Sequence, residues 1–403
     1  MSIFRNPLHD DFGHWPVAYI PYGGADYGEI AAVGRQVGDG DNAAFHAAWT
    51  IAAERLAGEA ETAVRRGHAS SASALFLRAS CFHGASYHPL YGEPCDPRLL
   101  ASYRRQIDLF ERGLALGEAP ATVMRIPFEN GTLPGYLLPA EGRARERRPL
   151  LILTNGYDGT VTDMHFASAV AATRRGYHCL VFDGPGQGGA LYEQGLRLRP
   201  DWETVLSAVV DCALQLDVVD PERIALNGWS LGGHLALRAA SGEHRLAACV
   251  ADPGLWSVAA GFRAAAIGLG VPPEQTARLG EMDESWIERL QAAIDADPRL
   301  RWSVRQRGFW VHGVDCLRDY LASVEHYTLD DRVEDIRCAT LITVAENDSL
   351  GRSAPTVFEA LSCPKKLLRF TAAEGAGEHC EMRNRSLLNQ RVLDWLDEQF
   401  GES

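Results

Sequence analysis

The sequence predicts an α/β protein with a mostly parallel sheet flanked by helices, a helical domain before the sheet and a helical insertion within it. Three observations support this prediction. Residues 1–120 carry helical spacing of apolar residues, short apolar runs alternate with helical patterns from residue 121, and this alternation breaks between 254 and 335. Short strands that are apolar on both faces are typical of a buried parallel sheet. We therefore expect an N-terminal helical (lid) domain over 1–120 and a core over 121–403, with a helical cap insertion at about 254–335.

The N-terminal segment predicts three long helices. Apolar residues recur at helical spacing over residues 43–66, 70–87 and 97–117. The stretch at 14–30, "HWPVAYIPYGGADYGEI", is aromatic and rich in glycine and proline. That composition favours an extended or looped arm ahead of the helices.

The core segment begins with a hairpin signal, since two β-like runs flank Asn130-Gly131. Strands and helices then alternate. The predicted strands are 149–156, 178–184, 223–228, 246–252, 339–348 and 365–373, and the predicted helices between and after them are 163–175, 202–216, 232–241 and 387–400. Within the insertion, residues 284–296 and 315–326 also have helical patterns.

Composition narrows the class of protein. The chain has 403 residues, 46% hydrophobic and 23% charged, with a net charge of −14. An acidic chain argues against general nucleic-acid binding, which needs a basic face. The opening residues contain no apolar segment of a signal peptide, and no window reaches the roughly 18 apolar residues of a membrane span. Nine cysteines without a CxxC pair predict reduced thiols in a cytoplasmic protein.

A serine lies between glycines where an apolar run gives way to a helical pattern. Gly228-Trp229-Ser230-Leu231-Gly232 fits the G-x-S-x-G nucleophile elbow. Five such residues alone are a weak signal, because glycine and serine are common in loops. The strand before and the helix after are the context that the motif requires. We therefore predict Ser230 as a nucleophile and the Leu231 amide as an oxyanion donor.

A serine nucleophile needs a base and an orienting acid, which follow later strands in this type of sheet. Asp348 comes a few residues after the strand-like run "ATLITV", with Glu346 as the competing acid. His379 lies in a glycine-rich loop after the last strand. The loop "NGYDGT" after an early strand predicts the second oxyanion donor, the amide of Tyr157 or of Asp158.

Two other patterns bear on whether the protein binds a cofactor or a metal. The glycine-rich stretch "FDGPGQGGA" fits neither G-x-x-x-x-G-K-[ST] nor G-x-G-x-x-G, so a tight structural turn is favoured. No His, Cys or Asp cluster has metal-ligand spacing, and Cys380 beside His379 is better read as packing. We expect neither a cofactor nor a metal.

With these residues identified, the chain resembles α/β-hydrolases that carry an N-terminal helical domain. This group includes 2,6-dihydroxypseudooxynicotine hydrolase and the polyketide-shortening hydrolases of pigment pathways. The matching stretches are "FDGPGQG", "DWE", "GWSLGGHLALRAA", "RLAACVADPG" and "GAGEHC", and the resemblance covers nearly the whole chain. It implies an α/β-hydrolase fold, a homodimer, and retro-Claisen hydrolysis of a carbon–carbon bond beside a ketone in an aromatic or polyketide-like substrate. Direct attack by Ser230 and attack by a water that it positions both stay open.

The two helical segments are expected to cover the carboxyl edge of the sheet, where ligands bind in open α/β sheets. Polar and aromatic side chains there could contact the small-molecule substrate, although aromatic residues at helical spacing are also typical of a core. The candidates are Asp158, Asp252, Tyr87, His83, Trp310 and His312.

Two functions other than carbon–carbon bond hydrolysis are open to a protein with this sequence. An esterase, thioesterase or acyl-transfer cyclase would use the same catalytic residues. A catalytically dead ligand-binding receptor would not need the intact set of Ser230, Asp348 and His379, which argues against that reading.

Overall fold

The computed structural model describes residues 2–401, and its central feature is one eight-stranded sheet. The strands are β1 (Thr122–Phe128), β2 (Gly131–Leu138), β3 (Arg148–Thr154), β4 (His178–Phe182), β5 (Val219–Trp229), β6 (Ala248–Asp252), β7 (Ala339–Ala345) and β8 (Lys365–Phe370). Their order is β1-β2-β4-β3-β5-β6-β7-β8. β2 runs antiparallel to β1 and β4, and all other neighbours are parallel. The predicted α/β class and mostly parallel sheet are confirmed.

Helices flank the sheet because its central strands are apolar on both faces. Every residue of β4 and β6 is buried. The helices of the core are Val161–Met164 and Val170–Arg174, joined by a π-helical turn at His165–Ala169, then Gly188–Tyr192, Trp202–Ala213, Leu231–Ala240, Ala354–Ala360 and Arg385–Phe400. The carboxyl ends of the parallel strands meet at one edge, so the loops that follow β3, β5, β6, β7 and β8 lie together.

The N-terminal segment is helical almost throughout. Its helices are Pro7–Gly13, Trp15–Ala18, Tyr27–Val37, Asn42–Arg65, Ala69–Ser86 and Pro97–Ala115. One apolar cluster contains Trp49 and Phe82 of these helices together with Leu151 and Val250 of the sheet. The division of the chain into separate domains stays a prediction.

The predicted looped arm at 14–30 is wrong. This stretch forms the short helix Trp15–Ala18, a 3-10 turn at Ile20–Tyr22 and the start of Tyr27–Val37. Its prolines occupy first turns, where a missing backbone N–H costs nothing. Gly23 ends the 3-10 turn with φ 81°, a conformation that glycine adopts without strain. These residues therefore mark the ends of short helices.

The insertion between β6 and β7 is helical, with its own apolar cluster. Its helices are Ala259–Gly268, Glu284–Ala296, Pro298–Arg301, Phe309–His312 and Leu317–Val324, and a π-helical turn spans Trp302–Gly308. Ile287, Leu290 and Leu321 are buried in the cluster. We call residues 254–335 the cap. Among residues 2–401, no helix combines the length and the apolar character needed to cross a membrane.

Candidate active site

Ser230 occupies a sharp turn between β5 and the helix Leu231–Ala240. Its backbone has φ 63° and ψ −127°, a conformation that side chains rarely adopt and that marks stored strain at functional sites. A Cβ on Gly228 would lie 1.8 Å from the Gly232 carbonyl oxygen, and one on Gly232 would lie 2.7 Å from that of Thr154. The two glycines are therefore the steric condition for presenting Ser230 at the sheet edge.

A chain of hydrogen bonds joins the three residues predicted from the order of the strands. His379 Nδ1 lies 2.8 Å from Asp348 Oδ2, and His379 Nε2 lies 2.9 Å from Ser230 Oγ. A carboxylate only accepts, so Nδ1 carries the proton and the Ser230 hydroxyl donates to Nε2. The competing acid is held elsewhere, because Glu346 accepts a hydrogen bond from the Ala372 amide at 2.7 Å.

The pKa of His379 reflects this arrangement. Its enclosure would lower the pKa, but the hydrogen bond and the charge of Asp348 raise it, and the net pKa lies above the ordinary value of 6.5. Asp348 is itself buried, and its other carboxylate oxygen accepts from the Leu350 amide at 2.9 Å. The acid is therefore oriented before any substrate binds.

The loop after β3 packs directly against the elbow. A Cβ on Gly156 would lie 2.9 Å from both the Leu231 amide nitrogen and Ser230 Cβ. The Leu231 amide belongs to the first turn of its helix, where backbone amides have no intrahelical acceptor. This packing places the next residue, Tyr157, at the wall of the cavity that contains Ser230.

Sequence reasoning missed a glutamine that holds this loop. Gln187 Nε2 donates to the carbonyl oxygens of Asn155 at 2.6 Å and Gly156 at 3.2 Å, and its Oε1 accepts from the Gly184 amide. Gln187 belongs to the "FDGPGQGG" turn after β4. The glutamine within the glycine-rich turn was the available signal in the sequence. The two carbonyl groups to which it donates lie about 30 residues earlier in the chain.

A cavity of about 800 Å³ opens above Ser230 and His379. The cap supplies most of its apolar wall, which comprises Val258, Phe262, Leu269, Leu290, Ile294 and Val304. Asp158 and Arg307 form a polar side of it and are joined by an ion pair of 2.7 Å. A second cavity of about 50 Å³ meets the first at Ser230 and lies against Trp15 and Trp229.

Of the predicted substrate contacts, Asp158 lines the large cavity, and three aromatic or histidine candidates do not. Tyr87 is buried and donates to Gln106 Oε1 at 2.7 Å. His83 Nε2 lies 3.1 Å from Glu54 Oε1, and the ring of Trp310 stacks on Tyr192 at 5.4 Å. Their helices pack these side chains toward the N-terminal segment and the sheet, so the predicted placement in the pocket is corrected.

His312 and Asp252 also lie outside the cavity wall but support residues that form the site. Burial lowers the pKa of His312 to about 3, and the neutral ring hydrogen-bonds Tyr157 Oη at 2.7 Å. The Asp252 carboxylate accepts from Arg385 Nη1 at 2.9 Å, and its carbonyl accepts from the Ser230 amide at 2.7 Å. Asp252 therefore fixes the backbone of the elbow.

Arg385 and Glu381 complete the buried network beneath His379. Arg385 donates to the Cys380 carbonyl at 2.8 Å as well as to Asp252. Burial, followed by the charge of Asp252, raises the pKa of Glu381 well above its ordinary value. No motif signals these residues, because their contacts with Asp252 join positions more than 100 residues apart in the chain. Across residues 2–401, no group of three or more side chains has the arrangement of a metal site.

Comparison with known proteins identifies the family of the chain. A sequence model described as the alpha/beta hydrolase family matches residues 151–386. The chain is 35% identical to hydrolase acrC of Aspergillus aculeatus, with 97% of each chain covered. It is 31% identical to 20-hydroxy-prefusarin hydrolase FUS2 of Gibberella moniliformis, with 95% of this chain and 94% of the relative covered.

A solved structure shows the same fold over nearly the whole chain. The structure of 2,6-dihydroxy-pseudo-oxynicotine hydrolase superimposes with a TM-score of 0.73 at 23% identity, covering 94% of each chain. The match includes the N-terminal helical segment and the cap as well as the sheet. The chain is therefore a hydrolase and belongs to the alpha/beta hydrolase family.

Proposed function

We propose that this protein is a serine hydrolase that cleaves a carbon–carbon bond beside a ketone in an aromatic or polyketide-like substrate. The observation that carries the proposal is the hydrogen-bonded chain of Ser230, His379 and Asp348 at the floor of the large, mostly apolar cavity. A catalytic triad needs this order of nucleophile, base and acid.

In the proposed reaction, Ser230 Oγ attacks the ketone carbon while His379 Nε2 takes the hydroxyl proton. The amides of Leu231 and Tyr157 donate hydrogen bonds to the ketone oxygen as it becomes negatively charged. As the carbon–carbon bond breaks, its electron pair stays on the leaving carbon, and the protonated His379 returns a proton to that fragment. Water then hydrolyses the acyl–serine ester. The hydrogen bond from Ser230 Oγ to His379 Nε2 gives the hydroxyl proton a direct path to the base, which supports direct attack.

The cavity supports a substrate of this class. Its volume of about 800 Å³ and its mostly apolar wall suit a ligand of drug-like size with a large apolar part. Two similar proteins carry the names of hydrolases of specific small molecules, 20-hydroxy-prefusarin and 2,6-dihydroxy-pseudo-oxynicotine.

We further propose that the enzyme works as a cytoplasmic homodimer, with the location supported by nine free thiols.

Two substrates distinguish carbon–carbon from ester hydrolysis. The wild type and Ser230→Ala are incubated with p-nitrophenyl butyrate and with 1-phenyl-1,3-butanedione, and products are quantified by chromatography. We expect the wild type to cleave the diketone and Ser230→Ala to lose activity by about 10⁴-fold or more. Ser386→Ala, at an exposed serine of the last helix, is the matched control. Robust ester turnover without diketone cleavage would refute the carbon–carbon assignment in favour of an esterase, and full activity of Ser230→Ala would refute the nucleophile.

A further inference from the structure

One cationic side chain projects from the cap into the polar side of the cavity. Within the described part of the chain, the wall of the 800 Å³ cavity contains one arginine, Arg307, and no lysine. Arg307 lies in the π-helical turn Trp302–Gly308, and its side chain is 18% exposed. A buried cation is costly unless its charge and its donors find partners.

The partners of Arg307 account for only part of its donors. Its Nη1 donates to Asp158 Oδ2 at 2.7 Å, and its guanidinium stacks on the ring of Tyr157 at 4.5 Å. Its Nε is buried and has no hydrogen-bond partner among residues 2–401. The Nη2 nitrogen also makes no hydrogen bond to residues 2–401 and, unlike Nε, is not enclosed, so the guanidinium has a donor left for a ligand in the cavity.

The position of Arg307 relates it to the reacting atoms. It rests on Tyr157, whose amide is a proposed oxyanion donor, and Tyr157 follows Gly156, which packs against Ser230. Arg307, Ser230 and His379 all line the same cavity. A substrate that fills this cavity can therefore contact Ser230 and the guanidinium at the same time.

Carbon–carbon cleavage creates a demand that ester cleavage lacks. An ester releases an oxygen anion, whereas the proposed reaction leaves the electron pair on carbon. If a second carbonyl is attached to that carbon, the pair moves onto the carbonyl oxygen as an enolate, which His379 then protonates at carbon. A fixed cation at that oxygen stabilises charge that develops only as the bond breaks. A guanidinium keeps its charge in an apolar cavity and presents several N–H donors in one plane.

Resting on the proposed function, we propose that Arg307 binds and stabilises this enolate oxygen, so that the substrates are 1,3-dicarbonyl compounds. Asp158 holds the guanidinium in place from its other side. The apolar cap wall would then receive the carbon chain, and Arg307 would select substrates by the second oxygen.

The test compares two substrates in Arg307→Gln, Arg307→Lys and the control Arg305→Gln. Arg305 belongs to the same turn but points outward, 45% exposed, and pairs with Asp295. We expect Arg307→Gln to lower kcat/KM for 1-phenyl-1,3-butanedione by about 10²–10³-fold, the cost of one lost oxyanion donor. Its kcat/KM for p-nitrophenyl butyrate should change by less than about fivefold, Arg307→Lys should fall between, and Arg305→Gln should match the wild type. Equal losses on both substrates, or no loss, would overturn the proposal.

A binding measurement reads the same interaction without turnover. The enolate of 1-phenyl-1,3-butanedione absorbs at longer wavelength than the neutral enol. In Ser230→Ala, His379 Nε2 can take the proton from the carbon between the two carbonyls, so we expect this variant to bind the diketone with the enolate band. The double variant Ser230→Ala/Arg307→Gln should bind it without that band. A wild type that cleaves no diketone defeats the proposed function, whereas a diketone-cleaving wild type with an unchanged substrate ratio in Arg307→Gln defeats this inference alone. Identical spectra in the two variants would also overturn it.

Discussion

At the scale of single residues, His379 titrates under the control of Asp348. The hydrogen bond and charge of Asp348 outweigh enclosure and hold the pKa of His379 above 6.5. A general base must be unprotonated, so kcat/KM should rise with pH through this raised pKa and be lost below it. Asp348→Asn removes the charge that raises the pKa, so we expect the acidic limb of the pH profile to move to lower pH. The loss of orientation and charge should also reduce kcat by about 10⁴-fold.

Glu346→Gln is the control for that experiment, because Glu346 lies two residues away and is bound to a backbone amide of the neighbouring loop. Its pH profile should overlay that of the wild type. An acidic limb that stays in place in Asp348→Asn, or that moves equally in Glu346→Gln, would contradict the role given to Asp348.

Some residues of the site could be predicted from the order of the strands along the chain, and others could not. Ser230, Asp348 and His379 each follow a particular strand, and the sequence alone predicts their meeting. Gln187 and Arg385 were not predictable, because their partners, the Asn155 carbonyl and the Asp252 carboxylate, are brought near only by folding. The same reason explains the error over Tyr87, since helical spacing does not tell which neighbour a helix face will meet.

At the scale of elements, strands and long helices were predictable where apolar spacing is regular. The predicted β1–β2 hairpin forms, but its two-residue turn is Glu129-Asn130, one residue before the predicted Asn130-Gly131. The helix Glu284–Ala296 has the predicted bounds. The short helices between residues 7 and 22 were not predictable, because proline and glycine mark helix ends as well as loops. The π-helical turn that carries Arg307 was not predicted, because such turns are rare and occur as short segments within ordinary helices.

Glycines within helices provide a prediction at this scale. Gly58 lies inside the helix Asn42–Arg65, and an added Cβ would meet no atom within 4 Å. Gly58→Ala should therefore raise the free energy of unfolding by about 0.5–1 kcal/mol, the difference in helix propensity. Gly113 lies in the helix Pro97–Ala115, where a Cβ would come within 2.7 Å of Leu77 Cγ. Gly113→Ala should instead lower the free energy of unfolding by about 1–3 kcal/mol through overpacking.

Urea denaturation of the two variants beside the wild type measures both changes. Opposite signs for the same substitution are the expected result, because the two helices differ in what faces the glycine. Stabilisation by both substitutions would show that the helices before β1 separate more freely than their packing indicates.

At the scale of the whole molecule, the N-terminal segment and the cap hold each other over the active site. The centroid of the Trp302 ring lies 4.8 Å from that of Phe12 and 5.6 Å from that of Tyr91. Its Nε1 donates to the His88 carbonyl at 3.0 Å. Tyr91 Oη in turn donates to the Asp158 carbonyl at 3.0 Å. Because Trp302 begins the turn that carries Arg307, this contact connects the N-terminal helices to the cavity wall.

Trp302→Ala tests whether that contact keeps the cap closed. The substitution removes three interactions with the N-terminal segment. Replacing a buried tryptophan by alanine lowers the free energy of unfolding by about 3–5 kcal/mol. We expect faster amide hydrogen exchange both across residues 254–335 and in the N-terminal helices, and a lower kcat/KM, because the cap and Arg307 lose their fixed position over Ser230. Trp286→Ala is the matched control, since Trp286 packs within the cap's own apolar cluster and stacks with Arg289 at 4.7 Å. If Trp286→Ala accelerates exchange in the N-terminal helices as much as Trp302→Ala does, the connection between the two segments does not depend on Trp302.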